Sequence, residues 1–241
     1  MAATSAPANV KPTFDDEFNT MSFDNGKTGT WAPAMWYNSN GGTDSTLSSW
    51  ELNPLYGPTS AADANPYSVN NGVLSLAIKP TPADVSAAVN NTPFIAAEAT
   101  TYRTFSQTYG YFEMRAKVAS GAGTESSFWL MPTDGSWPPE LDAMEVLGND
   151  PTTLVMTAHS ANYTNPHWST IPNSTQAFHT YGVDWEADKI TWYFDGKQMA
   201  QEATPSDMNK PMYMLINTLA GTSSTWVGAP KPGETSQMQI D

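Results

Sequence analysis

The chain has 241 residues, with 10 Lys plus Arg against 24 Asp plus Glu, so its formal net charge is −14 at pH 7. This negative charge repels phosphate backbones and anionic lipid surfaces, which excludes nucleic acid and membranes as expected partners but is compatible with a neutral polymer. The absence of cysteine excludes disulfides, thiol nucleophiles and zinc sites built on cysteine.

The beginning of the chain predicts a tail followed by one domain. Residues 1–13 are rich in small residues and are expected to form a disordered tail, whereas residues 14–241 show no repeat and no break in composition. The tail lacks the basic start and apolar run of a signal peptide and is typical of what remains after one is removed, so we predict a secreted protein. No segment is apolar over the length that crosses a bilayer.

Short segments with strand-like patterns, separated by turn residues, follow one another along the chain. In the first of them Leu74, Leu76 and Ile78 fall on one face, and Asp195 with Gly196 predicts a tight hairpin further on. The predicted strands are 72–79, 109–118, 127–132, 141–147, 154–160, 180–186, 189–199 and 212–220. Only residues 82–89 allow a helical turn, and 38–49 and 55–66 are predicted as long loops. The pattern predicts an all-β sandwich of two antiparallel sheets.

Three acids lie within one predicted strand, at Glu140, Asp142 and Glu145. On a regular strand Glu140 and Asp142 share a face and Glu145 points to the other, but a β-bulge at Ala143 or Met144 brings all three together. Burying three acids is costly unless they line a wet cleft, so the cluster indicates a functional site. The alternative is an acidic, solvent-facing edge strand.

Such a cluster suits the cleavage of glycosidic bonds. A retaining glycosidase needs two carboxyl groups about 5–5.5 Å apart, one as nucleophile and one as general acid and then base. Acids two positions apart on a strand are about 7 Å apart, so a bulge, twist and side-chain reach must close the gap. Asp142 lies between the other two acids and can hold a proton on Glu145 by like-charge repulsion.

Several segments resemble glycoside hydrolase family 16, in the order that the family has them. The acid segment 137–146 reads WPPELDAMEV and contains the E-x-D-x-x-E signature. The other matching segments are 104–118 (TFSQTYGYFEMRAKV), 128–132 (FWLMP), 158–160 (AHS), 178–186 (FHTYGVDWE), 190–196 (ITWYFDG) and 217–228 (NTLAGTSSTWVG). The run from Pro138 onwards is most similar to bacterial members that act on mixed β-1,3/1,4-glucans or on succinoglycan-type exopolysaccharides.

The resemblance implies a β-jelly-roll sandwich with a concave substrate groove, a single catalytic domain over 14–241, and retaining, endo-acting hydrolysis of a β-linked polysaccharide. It implies Glu140 as nucleophile, Asp142 as assisting acid and Glu145 as acid/base, with no cofactor for catalysis. Two other activities stay open, namely a non-catalytic lectin-like module and a transglycosylase on the same fold. The protein is expected to act as a monomer.

The resemblance also suggests residues that contact the substrate, each with a structural alternative. A Trp is also a normal core residue, a His can be purely structural, and an Arg can simply lie on the surface. His179 and Trp185 are interpreted as mainly structural. The substrate-binding candidates are Trp129, Trp137, His159, Arg103, Asn217, Trp226 and Asn38.

The sequence departs from the family pattern at two places, and one metal site is expected. Glu125 with two serines stands where the family has an aromatic residue and a proline, and the chain ends at Asp241 where the family continues into a last strand. The resemblance further implies a structural calcium ion, held by the carbonyls of Glu17 and Gly72 and the carboxylate of Asp241, since oxygen ligands of this kind suit calcium. The alternative is that Glu17 is one of several surface acids, and the three histidines have no zinc-type spacing.

Overall fold

The computed structural model describes residues 11–33, 41–42 and 46–241, so the candidate Asn38 and most of the expected tail lie outside the described residues. No helix in these ranges is long and apolar enough to span a membrane. Within these same ranges the helical elements are two 3-10 turns, Gly57–Thr59 and Ser86–Val89. The strands are β1 (Gly41–Gly42), β2 (Ser49–Leu52), β3 (Tyr67–Asn70), β4 (Val73–Pro80), β5 (Phe94–Ala96), β6 (Glu98–Thr100), β7 (Gly110–Lys117), β8 (Thr124–Pro132), β9 (Glu140–Leu147), β10 (Thr153–His159), β11 (Thr164–Thr170), β12 (His179–Trp185), β13 (Lys189–Phe194), β14 (Lys197–Ala203), β15 (Met212–Ala220) and β16 (Ser236–Ile240).

These strands form two stacked sheets, as the patterning predicts. The ten-stranded sheet has the order β1-β2-β5-β4-β16-β7-β12-β13-β14, with β3 paired to β4, and the six-stranded sheet has the order β11-β10-β9-β8-β15-β6. Among the named strand pairs only β2 with β5 is parallel. The alternating Leu74, Leu76 and Ile78 of β4 are buried as expected. The predicted all-β sandwich is confirmed.

The main core lies between the two sheets and decides which face of each strand is inside. From the six-stranded sheet it takes Phe128 and Leu130 of β8 and Leu154, Met156 and Ala158 of β10. The alternate residues of these strands therefore lie on the opposite face, away from the core. We call that opposite face of the six-stranded sheet the outer face.

The predicted strand at 212–220 coincides with β15, and the predicted hairpin has Asp195 and Gly196 at positive φ, as a tight turn requires. The prediction leaves out several strands, namely β1, β2, β3, β5, β6, β11 and β16, and β11 is the longest of them. Its residues alternate between exposed and half-buried, and Pro166 lies within it. Pro is tolerated there because β11 is at the edge of its sheet, where one side of the strand needs no N–H donor.

Strand β9 contains the expected β-bulge. Its register shifts against both neighbours, because Phe128 pairs with Met144 while Trp129 pairs with Asp142, which leaves Ala143 without a partner of its own on β8. The shift on the β10 side falls between Val155 and Thr157. The bulge turns both Ala143 and Met144 towards the core. Every later residue of β9 consequently changes face relative to a regular strand.

A core tryptophan holds this bulge from the other sheet. Trp192 of β13 is fully buried, and its indole Nε1–H donates a 2.8 Å hydrogen bond to the backbone carbonyl of Asp142. A bulge interrupts the regular ladder, so a carbonyl there needs another donor. Trp192 provides that donor and ties the position of the bulge to the packing of the two sheets.

Trp192→Phe is expected to destabilise the protein by about 1–3 kcal/mol, because it leaves a buried carbonyl without a donor. Each kcal/mol lowers the melting temperature by about 2–4 °C in a chain of this size. Trp185→Phe is the matched control, since Trp185 is equally buried but its Nε1 finds no hydrogen-bond partner among the described residues. Equal losses of melting temperature in the two variants would show that the hydrogen bond contributes nothing.

Candidate active site

The bulge brings the three acids of β9 to the outer face. Leu141, Ala143, Met144 and Val146 pack into the core, so Glu140, Asp142 and Glu145 point the other way. Asp142 is only 2% exposed, whereas Glu140 and Glu145 are half-buried at the surface of the sheet. One strand therefore presents three carboxyl groups to a single site, and the expected arrangement is present.

Glu140 and Asp142 form a compact group with a histidine and a tryptophan. The Trp137 indole Nε1–H donates a 2.7 Å hydrogen bond to Glu140 Oε2. His159 of β10 is opposite Glu140 in register, and its Nε2 lies 3.0 Å from Asp142 Oδ2 and 3.7 Å from Glu140 Oε1. The other ring nitrogen, Nδ1, is 3.3 Å from Thr164 Oγ1. Glu140 is thus less buried than Asp142, and it accepts a hydrogen bond from the Trp137 indole, a contact that stabilises a carboxylate.

Glu145 has a different environment. Its Oε2 accepts a long 3.5 Å hydrogen bond from the hydroxyl of Thr157. Burial, followed by the nearby carboxyls of Glu125 and Glu140, raises the pKa of Glu145 to about 8. Burial and then Glu140 also raise the pKa of Asp142 well above its usual range. The two outer acids of β9 therefore differ, since one receives an N–H donor and the other is held protonated near neutral pH.

Aromatic side chains surround the acids on the outer face. Trp129 pairs in register with Asp142, and its Nε1 donates a 2.7 Å hydrogen bond to Asn217 Oδ1. Trp137 is 64% exposed beside Glu140. Exposed tryptophan faces next to a polar cleft offer flat surfaces on which sugar rings can stack.

A second exposed aromatic pair joins two distant parts of the chain. Trp168 of β11 is 60% exposed and Trp226 is 49% exposed, and their rings meet edge-to-face with centroids 6.2 Å apart. Trp226 belongs to the segment 221–235 that follows β15, and β8, β9 and β10 lie between β15 and β11 in the sheet. That segment therefore extends across three strands to reach Trp168. Trp168 pairs with Val155, which in turn pairs with Glu145, so Trp168 and Glu145 lie in one row across the sheet.

The remaining sequence candidates are placed as follows. Arg103 is half-exposed, and its Nε donates to the buried Asp24 at 2.8 Å, so its guanidinium is engaged outside the acid cluster. His179 contacts Asp195 and Trp185 is fully buried in the core, in agreement with structural roles. The substrate contacts expected of Arg103 and Asn38 stay predictions.

Sequence reasoning missed two residues of this face. Trp168 was overlooked because β11 itself was not predicted. Glu125 was noted only as a departure, yet it is 5% exposed on the outer face of β8, two residues from the position opposite Glu145. The signal for Glu125 was an acid in place of a bulky residue beside the acid strand.

Residues 60–241 match the family described as Glycosyl hydrolases family 16. This match covers most of the chain, and it includes every residue of the site described above. The chain belongs to glycosyl hydrolase family 16.

Two curated relatives in this family come from Rhizobium meliloti (strain 1021). The endo-1,3-1,4-beta-glycanase ExsH is 45% identical over 244 residues and covers 96% of this chain, and the endo-1,3-1,4-beta-glycanase EglC is 42% identical and covers 95%. The chain spans about half the length of both relatives, 50% in each case. Among solved structures, a family 16 non-specific endo-beta-1,3(4)-glucanase, SCLam, superposes with a TM-score of 0.81 at 25% identity, covering 98% of this chain and 94% of that one.

Two places in this family 16 domain bring together groups of the type that bind metal ions. Possible ligand atoms of Glu140, Asp142 and His159 lie within 4.8 Å of one another. We assign no metal to them, because their contacts with one another and with Trp137 already account for the grouping. At the expected calcium site, the carbonyl of Glu17 lies near Gly72, but the carboxylate of Asp241 forms an ion pair with Arg115. In this arrangement the Asp241 carboxylate is engaged by Arg115, so calcium binding stays a prediction that would require Asp241 to release Arg115.

Glu145→Gln is expected to raise the melting temperature more at pH 9 than at pH 4. The folded-state pKa of about 8 lies above the ordinary glutamate value of 4.5, so the acid favours folding fully below about pH 4.5 and this contribution is lost as the pH rises to 8. The neutral amide removes that cost at high pH. Thermal unfolding of both proteins across this pH range measures it, and a difference that does not change with pH would contradict the shifted pKa.

Proposed function

We propose that this family 16 domain is a retaining, endo-acting glycoside hydrolase in which Glu140 is the nucleophile and Glu145 the general acid and then base. The observation that supports this most directly is the contrast between the two acids on one face of β9. Glu140 accepts a hydrogen bond from Trp137, whereas the pKa of Glu145 is raised to about 8, so that Glu145 keeps its proton at neutral pH. A retaining mechanism needs one carboxyl group that attacks and a second that carries a proton, and the raised pKa of Glu145 suits the second role.

In the first step Glu140 attacks the anomeric carbon while Glu145 gives its proton to the leaving glycosidic oxygen. The bond to the leaving sugar breaks, and a covalent glycosyl–Glu140 ester remains. In the second step the Glu145 carboxylate takes a proton from water, and the resulting hydroxide displaces Glu140. Asp142 and His159 position the nucleophile, because His159 Nε2 approaches both carboxyl groups.

The proposed substrate is a β-1,3- or mixed β-1,3/1,4-glucan, or a related bacterial exopolysaccharide. Both Rhizobium meliloti relatives are described as endo-1,3-1,4-beta-glycanases, and the SCLam structures include one with a β-glucan fragment at the active site. An uncharged glucan also suits a chain with a net charge of −14. Trp137 beside Glu140 and the Trp168–Trp226 pair would supply stacking surfaces.

We also propose that the enzyme is secreted, that it is a monomer and that it needs no cofactor. A polysaccharide too large to enter a cell calls for a secreted enzyme, and secretion is checked by activity in the culture medium of the source organism. The proposed monomer is checked by the molar mass in light scattering. Catalysis by the two-carboxylate route requires no cofactor.

Glu140→Ala is expected to abolish the release of reducing ends from laminarin, lichenan and succinoglycan, because no nucleophile remains. Azide should restore cleavage of an activated aryl glycoside by attacking from the vacated side. Cellulose and agarose serve as the comparison polymers for linkage preference. A folded Glu140→Ala protein that keeps wild-type turnover would refute the assignment. Wild-type protein that binds these polymers and cleaves none would identify a lectin-like module.

Trp168→Ala is expected to raise KM for the polysaccharide about 2- to 12-fold, as the loss of one aromatic contact worth about 0.5–1.5 kcal/mol predicts. Hydrolysis of a short aryl glycoside should change less, because it need not reach β11. Phe178→Ala is a suitable control, since Phe178 lies under Arg115 of the ten-stranded sheet. An unchanged KM on long glucans would remove Trp168 from the binding surface.

A further inference from the structure

A fourth acid stands beside the acids of β9, on the neighbouring strand. Glu125 is the first residue of β8 on the outer face, and Ser127 is the next residue on that face. Ser127 is directly opposite Glu145 in register. Ser127 donates a 2.9 Å hydrogen bond from its hydroxyl to Glu125 Oε1. Glu125 and Ser127 are both 5% exposed. The carboxyl group of Glu125 is therefore fixed in direction and shielded from solvent one step along the sheet from Glu145.

Nothing in the chemical step requires this acid. The nucleophile, the acid/base and the assisting acid are all on β9, and burying a further carboxyl group is unfavourable unless its interactions compensate. Burial raises the pKa of Glu125 to about 7, against the effect of the Ser127 hydrogen bond. The charge on Glu125 is in turn the largest cause, after burial, of the raised pKa of Glu145.

Among the other charged groups on the surrounding elements, Glu140 also raises the pKa of Glu145, but less than Glu125 does. The charged residues of β9 and β10 other than Glu145 are Glu140, Asp142 and His159, which contact one another around the proposed nucleophile. Glu98 is further away, on β6 beyond β15. Lys231 is the lysine among the surrounding charged residues, but it is exposed, so solvent screens its charge from the buried acids. These surrounding charged residues are Glu140, Asp142, His159, Asp150 of the β9–β10 turn, Glu98, and Lys231 and Glu234 of the segment after β15.

We propose that Glu125 is a positioning residue that keeps the proton on Glu145 at neutral and mildly alkaline pH, and so sets the alkaline limit of hydrolysis. The inference rests on the proposed role of Glu145 as acid/base. As the pH rises, the two carboxyl groups lose their protons as an interacting pair, and the charge that appears on one delays ionisation of the other. Glu145 therefore still carries its proton when the glycosidic oxygen has to receive it.

The test is the pH profile of kcat/KM for wild type and Glu125→Gln on a glucan that the wild type cleaves. Gln keeps the size of the side chain and an acceptor for Ser127 but removes the charge. The alkaline limb should move to lower pH by on the order of one unit, so the loss of activity concentrates above pH 7. Glu125→Asp should restore most of the shift. Glu186→Gln, in the exposed turn between β12 and β13, removes one negative charge elsewhere and should leave the limb in place.

A second readout does not depend on turnover. Carbon-13 NMR of the glutamate side chains follows the titration of Glu145 directly, with Glu145→Gln used to assign its signal. A lower midpoint for Glu145 in Glu125→Gln than in wild type supports the inference even if no polymer is cleaved and the proposed hydrolase function fails. An unchanged midpoint, or an unchanged alkaline limb in an active variant, overturns it. Activity lost equally at every pH in a folded variant also overturns it, since Glu125 would then act on the reacting groups.

Discussion

The active face depends on the β-bulge in β9 and on the hydrogen bond that Trp192 donates to the carbonyl of Asp142. A strand with regular alternation would place Glu145 in the core, where an acid could not be solvated. The extra residue reverses the later part of β9, so that Val146 fills the core and Glu145 joins Glu140 outside. Because the donor comes from the opposite sheet, the geometry of the acids depends on the packing of the whole sandwich.

The crowding of the acids links function to a cost in stability. Asp142 and Glu125 are buried and Glu145 is half-buried beside them, and each has a raised pKa because burial opposes ionisation. A surface strand with solvated acids would be more stable at neutral pH, but it could not hold a proton on Glu145. In the proposed mechanism, the same repulsion that weakens the fold at high pH would keep on Glu145 the proton that it donates.

The proposed recognition of a long substrate would use elements that are far apart in the chain. Trp137 precedes the acid strand, Trp168 is on an edge strand, and Trp226 is in the segment that leads from one sheet to the other. The edge-to-face contact of Trp168 with Trp226 extends the aromatic surface beyond the acids. Stacking tolerates small changes of sugar orientation, so such a surface suits a polymer better than a pocket for one sugar.

The sequence by itself determined the all-β class, most long strands and the three acids with their bulge, because period-two alternation and a misplaced acid are local signals. It did not predict β11, since a polar edge strand with Pro166 carries no hydrophobic pattern, and Trp168 was overlooked with it. Only the tertiary structure revealed that Arg103 is engaged by Asp24 and Asp241 by Arg115, because ion pairs depend on distances between remote residues. It also decided the place of Glu125 beside Glu145, since the pairing of β8 with β9 depends on register across the sheet.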